Sequence, residues 1–257
     1  MVGRVVAAVA VVTLVGGCAE SASPRLTLAA KLADDDPDTH LTDLPRGQAG
    51  PEDGIVRVMA HGAVCSGVLV STKVVLTAQH CVAGRDGAEV DSVIPAGWVW
   101  VELGAEPLPW GRVRARRISV CEGWDGGAAY DVAALVLEAP VPDVKPYPIG
   151  TIEEGQKAHA MGFGKGLVSR NIPQTQWHTI QSARGRRDGA AKIVAAEMIA
   201  FDMPTSMGDS GSPILNADGE VVAIASMGRE GGDDGEALTL GARVDACSAM
   251  FTDLQIK

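Results

Sequence analysis

Three short segments, far apart in the chain, carry side chains that could do acyl-transfer chemistry together. The first is Cys65-Ser66-Gly67, followed by Leu76-Thr77-Ala78-Gln79-His80-Cys81. The second is Tyr130-Asp131-Val132-Ala133-Ala134-Leu135, and the third is Gly208-Asp209-Ser210-Gly211-Ser212-Pro213. A serine hydroxyl is a poor nucleophile at its ordinary pKa, so Ser210 needs a base within hydrogen-bond reach. An imidazole titrates near neutrality, which suits His80 to take that proton and later return it. A carboxylate at Asp131 would accept the other ring N–H and hold the useful tautomer. Each residue also has a plainer reading. His80 could be a core histidine with satisfied hydrogen bonds, Asp131 a strand-end cap, and Ser210 a turn residue in a glycine-rich loop. The Gly-Asp-Ser-Gly-Ser-Pro run carries most of the signal, and an Asp before an apolar strand carries almost none.

Taken together, in the order His, Asp, Ser, the segments resemble the chymotrypsin or trypsin-like serine protease family. The resemblance runs from about Gly54 to Ile256. Lesser matches extend it: Gly162-Phe163-Gly164 is similar to the family's Gly-Trp-Gly element, Ser226-Met227-Gly228 to its substrate strand, and Ala242-Arg243-Val244 to the strand before its C-terminal helix. Serine lipases and esterases that share Gly-Asp-Ser place it near the start of the chain, ahead of Asp and His, and the order here excludes them. The resemblance implies an all-β fold of two packed six-stranded Greek-key β-barrels with a short C-terminal α-helix. It implies a serine endopeptidase with His80, Asp131 and Ser210 as catalytic residues, acting through an acyl-enzyme. The backbone N–H groups of Gly208 and Ser210 would receive the oxyanion. No metal and no organic cofactor is expected, and His40, His61, His159 and His178 form no metal-ligand spacing with the cysteines and read as surface or loop residues. A contrasting reading is a catalytically silent protein that keeps the fold to bind a partner.

For specificity, the resemblance assigns substrate binding to Pro204, Ser226, Met227 and Gly228. Pro204 aligns with the pocket-floor position where trypsin-like enzymes carry an aspartate, so nothing there favours an Arg or Lys side chain. Gly228 would keep the pocket mouth open and Ala225 adds no polar group, which predicts small or apolar residues before the cleaved bond. Glu230, Asp233 and Asp234 lie in the adjacent loop. Family zymogens are usually cut before Ile-Val-Gly-Gly, whose new amine pairs with the Asp preceding the catalytic serine, here Asp209. No such sequence precedes Ile55, and cleavage after Arg46 would expose a poorly matching Gly47-Gln48. Either Asp209 therefore finds another partner or the enzyme needs no processing.

The elements that must position these residues are legible as short apolar or alternating runs separated by Gly, Pro, Asn and Asp. They include Ile55 to Met59, Val64 to Val70, Val74 to Ala78, Val132 to Leu137, Ile214 with Leu215, and Val221 to Ser226. Thirty-one glycines and 14 prolines among 257 residues, with 4% aromatics, exclude a long helical bundle. Arg112, Arg114 and Arg116, with Arg117 beside them, put three guanidinium groups on one face of a strand. The face reads as solvated, with an anionic partner or lipid headgroup as the alternative, and Arg184 to Arg187 reads as an exposed loop.

Ahead of the domain, Arg4 precedes an apolar run from Val5 to Val15 and then Gly16-Gly17-Cys18, the pattern of an export signal over 1–17. The run is shorter than the roughly 20 residues that span a bilayer. Val15-Gly16-Gly17-Cys18 resembles a bacterial lipobox, which implies lipidation at Cys18; the alternative is an ordinary secretory signal containing a cysteine. Residues 18–51, with Asp34-Asp35-Asp36-Pro37-Asp38, read as an acidic flexible linker or pro-segment. The domain itself is expected over 52–257, with barrels over about 52–147 and 148–244 and the helix over about 245–256. By the family resemblance Cys65 pairs with Cys81. With Cys18 lipidated, the five cysteines leave Cys121 and Cys247 for a second bridge. A net charge of -10 argues against nucleic acid. The expected partners are a protein or peptide substrate and a membrane met only through Cys18. The protein is expected to be an exported monomer, held at the periplasmic face or cell surface or otherwise secreted.

Overall fold

The computed structural model describes residues 50–84, 92–104, 111–164, 185–229 and 236–256. Cys18 and the signal and linker segments, His40, His178, Arg184, Glu230, Asp233 and Asp234 lie outside the described residues. Twelve strands form two closed antiparallel barrels of six. The first barrel is β1 (Ile55–Ala60), β2 (Ala63–Ser71), β3 (Val74–Thr77), β4 (Val99–Leu103), β5 (Gly111–Val120) and β6 (Ala133–Leu137). The second is β7 (Lys157–Gly162), β8 (Gly185–Val194), β9 (Met198–Phe201), β10 (Pro213–Leu215), β11 (Val221–Arg229) and β12 (Leu238–Arg243). Closure pairs β4 with β1 and β7 with β10, so neither sheet has an open edge.

The strands form where β-branched and small apolar residues alternate or run together, because such side chains pack well on a pleated surface. β6, Ala133 to Leu137, is buried on both faces, and β4 alternates, with Val99, Val101 and Leu103 inward and Trp100 and Glu102 half-buried. β5 alternates as far as Ala115, after which its register against β6 shifts and Arg116 and Arg117 are both exposed. Arg112 and Arg114 do share a face, and both guanidinium groups lie over the Trp100 ring, at 5.0 and 4.5 Å from its centroid. The arginine stripe is thus partly an internal cation–π stack.

The chain between barrels is pinned to both. Tyr147 N–H donates to Leu69 O in the first barrel, while Val221 N–H donates to Pro148 O and Gly150 N–H to Val221 O in the second. After β12 a short 3-10 turn, Asp245–Cys247, leads into helix α1, Ser248–Leu254. Met250 and Phe251 of α1 join the apolar cluster of the first barrel, which continues through Leu215, Ile224 and Val244 of the second half. Two disulfides are formed, Cys65–Cys81 and Cys121–Cys247, as expected.

The histidines correct one expectation. His61 sits exposed at a turn, edge-on to the Trp98 ring, but His159 lies within β7, opposite Asp188. Burial lowers the His159 pKa from its ordinary value, the Arg186 charge lowers it further, and Asp188 opposes them.

The Cys121–Cys247 bridge closes a separation of 126 residues and ties the segment before Asp131 to the start of α1. Replacing both cysteines with alanine is expected to cost about 4 to 5 kcal/mol of unfolding free energy. Urea denaturation of the double variant and the parent checks this.

Candidate active site

His80 is carried on a single 3-10 turn, Gln79–Cys81, directly after β3, and the Cys65–Cys81 disulfide fastens that turn to β2. Asp131 follows Tyr130, whose φ of 58° and the Val132 N–H to Tyr130 O bond make a tight reversal just before β6. The reversal drives the Asp131 side chain inward, where it is fully buried. A buried carboxylate must be hydrogen-bonded or neutralised, and Asp131 has three donors. The His80 backbone N–H reaches Oδ1 at 2.8 Å, His80 Nδ1 lies 2.7 Å from Oδ2, and Ser226 Oγ donates to Oδ2 at 2.5 Å. Because a carboxylate only accepts, Nδ1 carries the ring proton, which leaves Nε2 with a free lone pair.

Ser226 is presented by an irregularity in β11, where the register against β12 shifts between Ala225 and Met227. Such a bulge re-aims the side chain at its centre. The same strand holds the serine loop, since Gly211 N–H donates to Ala225 O at 2.7 Å and Ala225 N–H to Ser212 O at 2.9 Å. From the first barrel, Ser66 N–H donates to Ser210 O at 2.7 Å. Gly208 and Gly211 have φ of 99° and 84°, and a Cβ at Gly211 would overlap Ser66 O and Thr77 Oγ1. Glycine is required there both by backbone conformation and by the closeness of the first barrel.

A cavity of about 310 Å³ opens beside Ser210, lined by Thr205, Ser206, Met207, Asp209, Ala225, Ser226, Met227 and Gly228 as well as Ser210. Ser226, Met227 and Gly228, the residues expected to bind substrate, thus line this cavity. Pro204 is exposed and is not among the lining residues, and the adjacent buried Thr205 lines the cavity instead. Thr205 Oγ1 fills the space that Gly228 leaves by lacking a Cβ. Met207 is 81% exposed at the rim. Sequence reasoning missed Thr205, Ser206 and Met207, although all three adjoin the Gly208-Asp209-Ser210 motif.

The second miss concerns Arg187. Residues 185–187 belong to β8, not to an exposed loop, and strand alternation points Arg186 and Asp188 outward, where they pair at 2.8 Å, and Arg187 inward. Arg187 lies 3.0 Å from Asp209 Oδ2, with side-chain exposures of 17% and 3%. The Gly162-Phe163-Gly164 element packs on the same loop. Gly164 N–H donates to Asp209 Oδ1 at 3.0 Å, and a Cβ at Gly164 would overlap the carboxylate. Gln79 Nε2 and Oε1 and Ser212 Oγ are buried without hydrogen-bond partners among the described residues, and no structural reason accounts for them. Cys65, His80 and Cys81 cluster within 4.8 Å, but the two sulfurs are bonded to each other and offer no thiolate for a metal.

Two antiparallel barrels with a His–Asp pair, a glycine-bounded serine loop and a cavity beside it define a chymotrypsin-type architecture. The family model "Trypsin" matches residues 46–250, and the chain belongs to the trypsin family. Among characterised proteins it is 25% identical over 170 residues to a glutamyl endopeptidase of Bacillus licheniformis, covering 65% of this chain and 50% of that protein. The chain thus spans about half the length of that relative. Among solved structures, a Glu endopeptidase in complex with MPD superposes with a TM-score of 0.62 at 18% identity, over 85% of this chain and 96% of the other. Two scabies mite inactivated protease paralogues, S-D1 and S-I1, superpose with TM-scores of 0.60 and 0.61 at 15% identity. They cover 79% and 80% of this chain and 92% and 96% of their own. At these identities the structural likeness establishes the fold.

Ser226→Ala removes one of the three donors to a fully buried carboxylate, so unfolding free energy should fall by about 1 to 3 kcal/mol. Urea titration of the variant tests this, and an unchanged midpoint would show that Ser226 adds nothing to the carboxylate's support.

Proposed function

We propose that the protein is a serine endopeptidase in which Ser210, His80 and Asp131 form the catalytic triad. The observation that carries the reading is the buried Asp131 carboxylate. It holds the His80 ring through Nδ1 and shares Ser226 with the cavity that Ser210 lines. In the first half-reaction Ser210 Oγ attacks the substrate carbonyl carbon and its proton passes to His80 Nε2. The oxyanion is received by the N–H groups of Gly208 and Ser210. The C–N bond then breaks, the amine leaves with the proton from His80, and an ester to Ser210 remains. Water, deprotonated by His80, hydrolyses that ester and the proton returns to Ser210. Asp131 stays ionised and stabilises the imidazolium in both halves.

The cavity supports small or apolar residues before the cleaved bond. Among the described residues its lining contains no Lys, Arg or His, and the one carboxylate among them, Asp209, is matched by Arg187. From the described lining a basic substrate side chain therefore gains no free counter-charge, and neither does an acidic one, despite the similarity to a glutamyl endopeptidase. A second reading, a catalytically silent binding protein, is favoured by the two inactivated paralogues among the fold neighbours. The His80–Asp131 pair and the glycine at 208 support the enzyme.

A fluorophosphonate probe is expected to label the wild type and not Ser210→Ala, and a peptide-library profile should favour Ala, Val or Leu before the cut. Absence of labelling with a folded protein would hand the function to the binding reading, and a profile led by Arg, Lys or Glu would overturn the specificity. The two disulfides fit an exported protein. We further propose that it is a monomer anchored through a lipid at Cys18, with 18–51 as a tether and no nucleic-acid partner. Mass spectrometry of the mature N-terminus should find a diacylglycerol-modified Cys18; an unmodified terminus elsewhere would make the protein a simply secreted one.

A further inference from the structure

Resting on the protease reading, we infer that Arg187 is a positioning residue for the oxyanion loop, and that it makes the loop's geometry independent of any newly cut chain terminus. Asp209 sits between Gly208 and Ser210, the two residues whose N–H groups would receive the oxyanion. Its carboxylate is 3% exposed, and a charge taken that far out of water needs both hydrogen bonds and a counter-charge. The hydrogen bonds come from Gly164 N–H at 3.0 Å, Ser206 N–H at 2.9 Å and Ser206 Oγ at 3.0 Å. The counter-charge at the carboxylate is the Arg187 guanidinium, 3.0 Å from Oδ2.

Arg187 is itself held in place. Its β8 backbone pairs with Ala160 of β7, Nη1 donates to Gly185 O at 3.1 Å, and Nη2 reaches Gly164 O and Ser206 Oγ at 3.5 Å. Only Nη2 meets the carboxylate, while Nη1 is held by Gly185 O, so the guanidinium neutralises Asp209 from a fixed position, which a mobile ammonium would do less well. From the first barrel, Ser66 Oγ donates to Gly208 O at 2.7 Å and accepts from Phe163 N–H at 2.8 Å. The peptides flanking Gly208 are thus gripped by Ser66 from the first barrel and, through Asp209, by Arg187 from the second. Both grips come from residues in strands, so they exist as soon as the barrels fold. A loop whose counter-ion is internal needs no cleavage upstream of Ile55 to reach this conformation, which answers the lack of a matching activation sequence there.

The test compares full-chain wild type, Arg187→Met, Arg187→Lys and Arg46→Gln by steady-state kinetics on a peptide substrate and by hydrogen exchange of residues 206–212. For Arg187→Met, kcat should fall about 100-fold or more, the scale of losing one oxyanion donor, with KM within about threefold. Amides of 206–212 should exchange faster while the first barrel keeps its protection. Arg187→Lys should recover part of kcat, and Arg46→Gln should match wild type. Should Arg187→Met fail to fold, Arg187→Met/Asp209→Asn, which leaves no unpaired buried charge in this loop, should fold and show the same kcat loss. Wild-type kcat with unchanged exchange in Arg187→Met or in that double variant overturns the inference, as does loss of activity in Arg46→Gln. A wild type that neither cleaves nor labels refutes the protease reading instead, and the exchange of 206–212 in Arg187→Met still decides the role of Arg187.

Discussion

Burying the Asp131 carboxylate between two barrels is the constraint from which most of the site follows. The group is fully removed from solvent, and its donors come from both halves of the chain, two from His80 in the first barrel and one from Ser226 in the second. Neither barrel alone satisfies it. Left without one set of partners it would carry a desolvation cost that a domain of marginal stability could ill absorb. The barrels are therefore held in one relative placement by a polar contact, and that contact also orients the imidazole. Structural and chemical demands on Asp131 coincide.

Asp209 poses the same problem a second time, with a different solution. Its burial beside the serine is matched by a strand-borne guanidinium and by backbone N–H groups from Gly164 and Ser206. The glycines nearby are the other half of that arrangement. Gly164 lacks the Cβ that would strike the carboxylate, and Gly211 lacks the one that would strike Ser66 O and Thr77 Oγ1. The serine loop is shaped by close approach, so it depends on small residues as much as on charged ones. The disulfides act at a longer range, fastening the His80 turn and the C-terminal helix to the first barrel.

Much of this was legible in the residues. Runs such as Val74 to Ala78 and Val132 to Leu137 are apolar and bounded by turn formers, and they became β3 and β6 with small shifts at their ends. The chemistry-bearing motifs were readable because their order, His, Asp, Ser, resembles that of the trypsin-like family, although each residue alone has a plainer use. β8 was not readable. Gly185-Arg186-Arg187-Asp188-Gly189 has no apolar alternation, and its strand character comes from pairing with β7, while β9 pairs only with the later part of β8 from Ala191. Pro204 drew attention by its alignment, while Thr205, the next residue, turned into the cavity because the turn carrying it folds back beside Gly228.

Composition and local pattern by themselves determined the all-β class and the strand runs that are apolar in their own right, and resemblance to the trypsin-like family singled out His80, Asp131 and Ser210 as candidate base, carboxylate and nucleophile. Those properties belong to single side chains and to the period of a strand, which need no distant partner to be recognised. Tertiary structure alone decided which arginine is surface and which is a counter-ion, which hydroxyl faces the cavity, and how Asp131 and Asp209 are neutralised. Each of those outcomes is a contact between residues apart in sequence, and for the charged pairs the attraction is strengthened by excluding water around both partners at once, which offsets their desolvation. That exclusion exists only after the barrels have closed and packed.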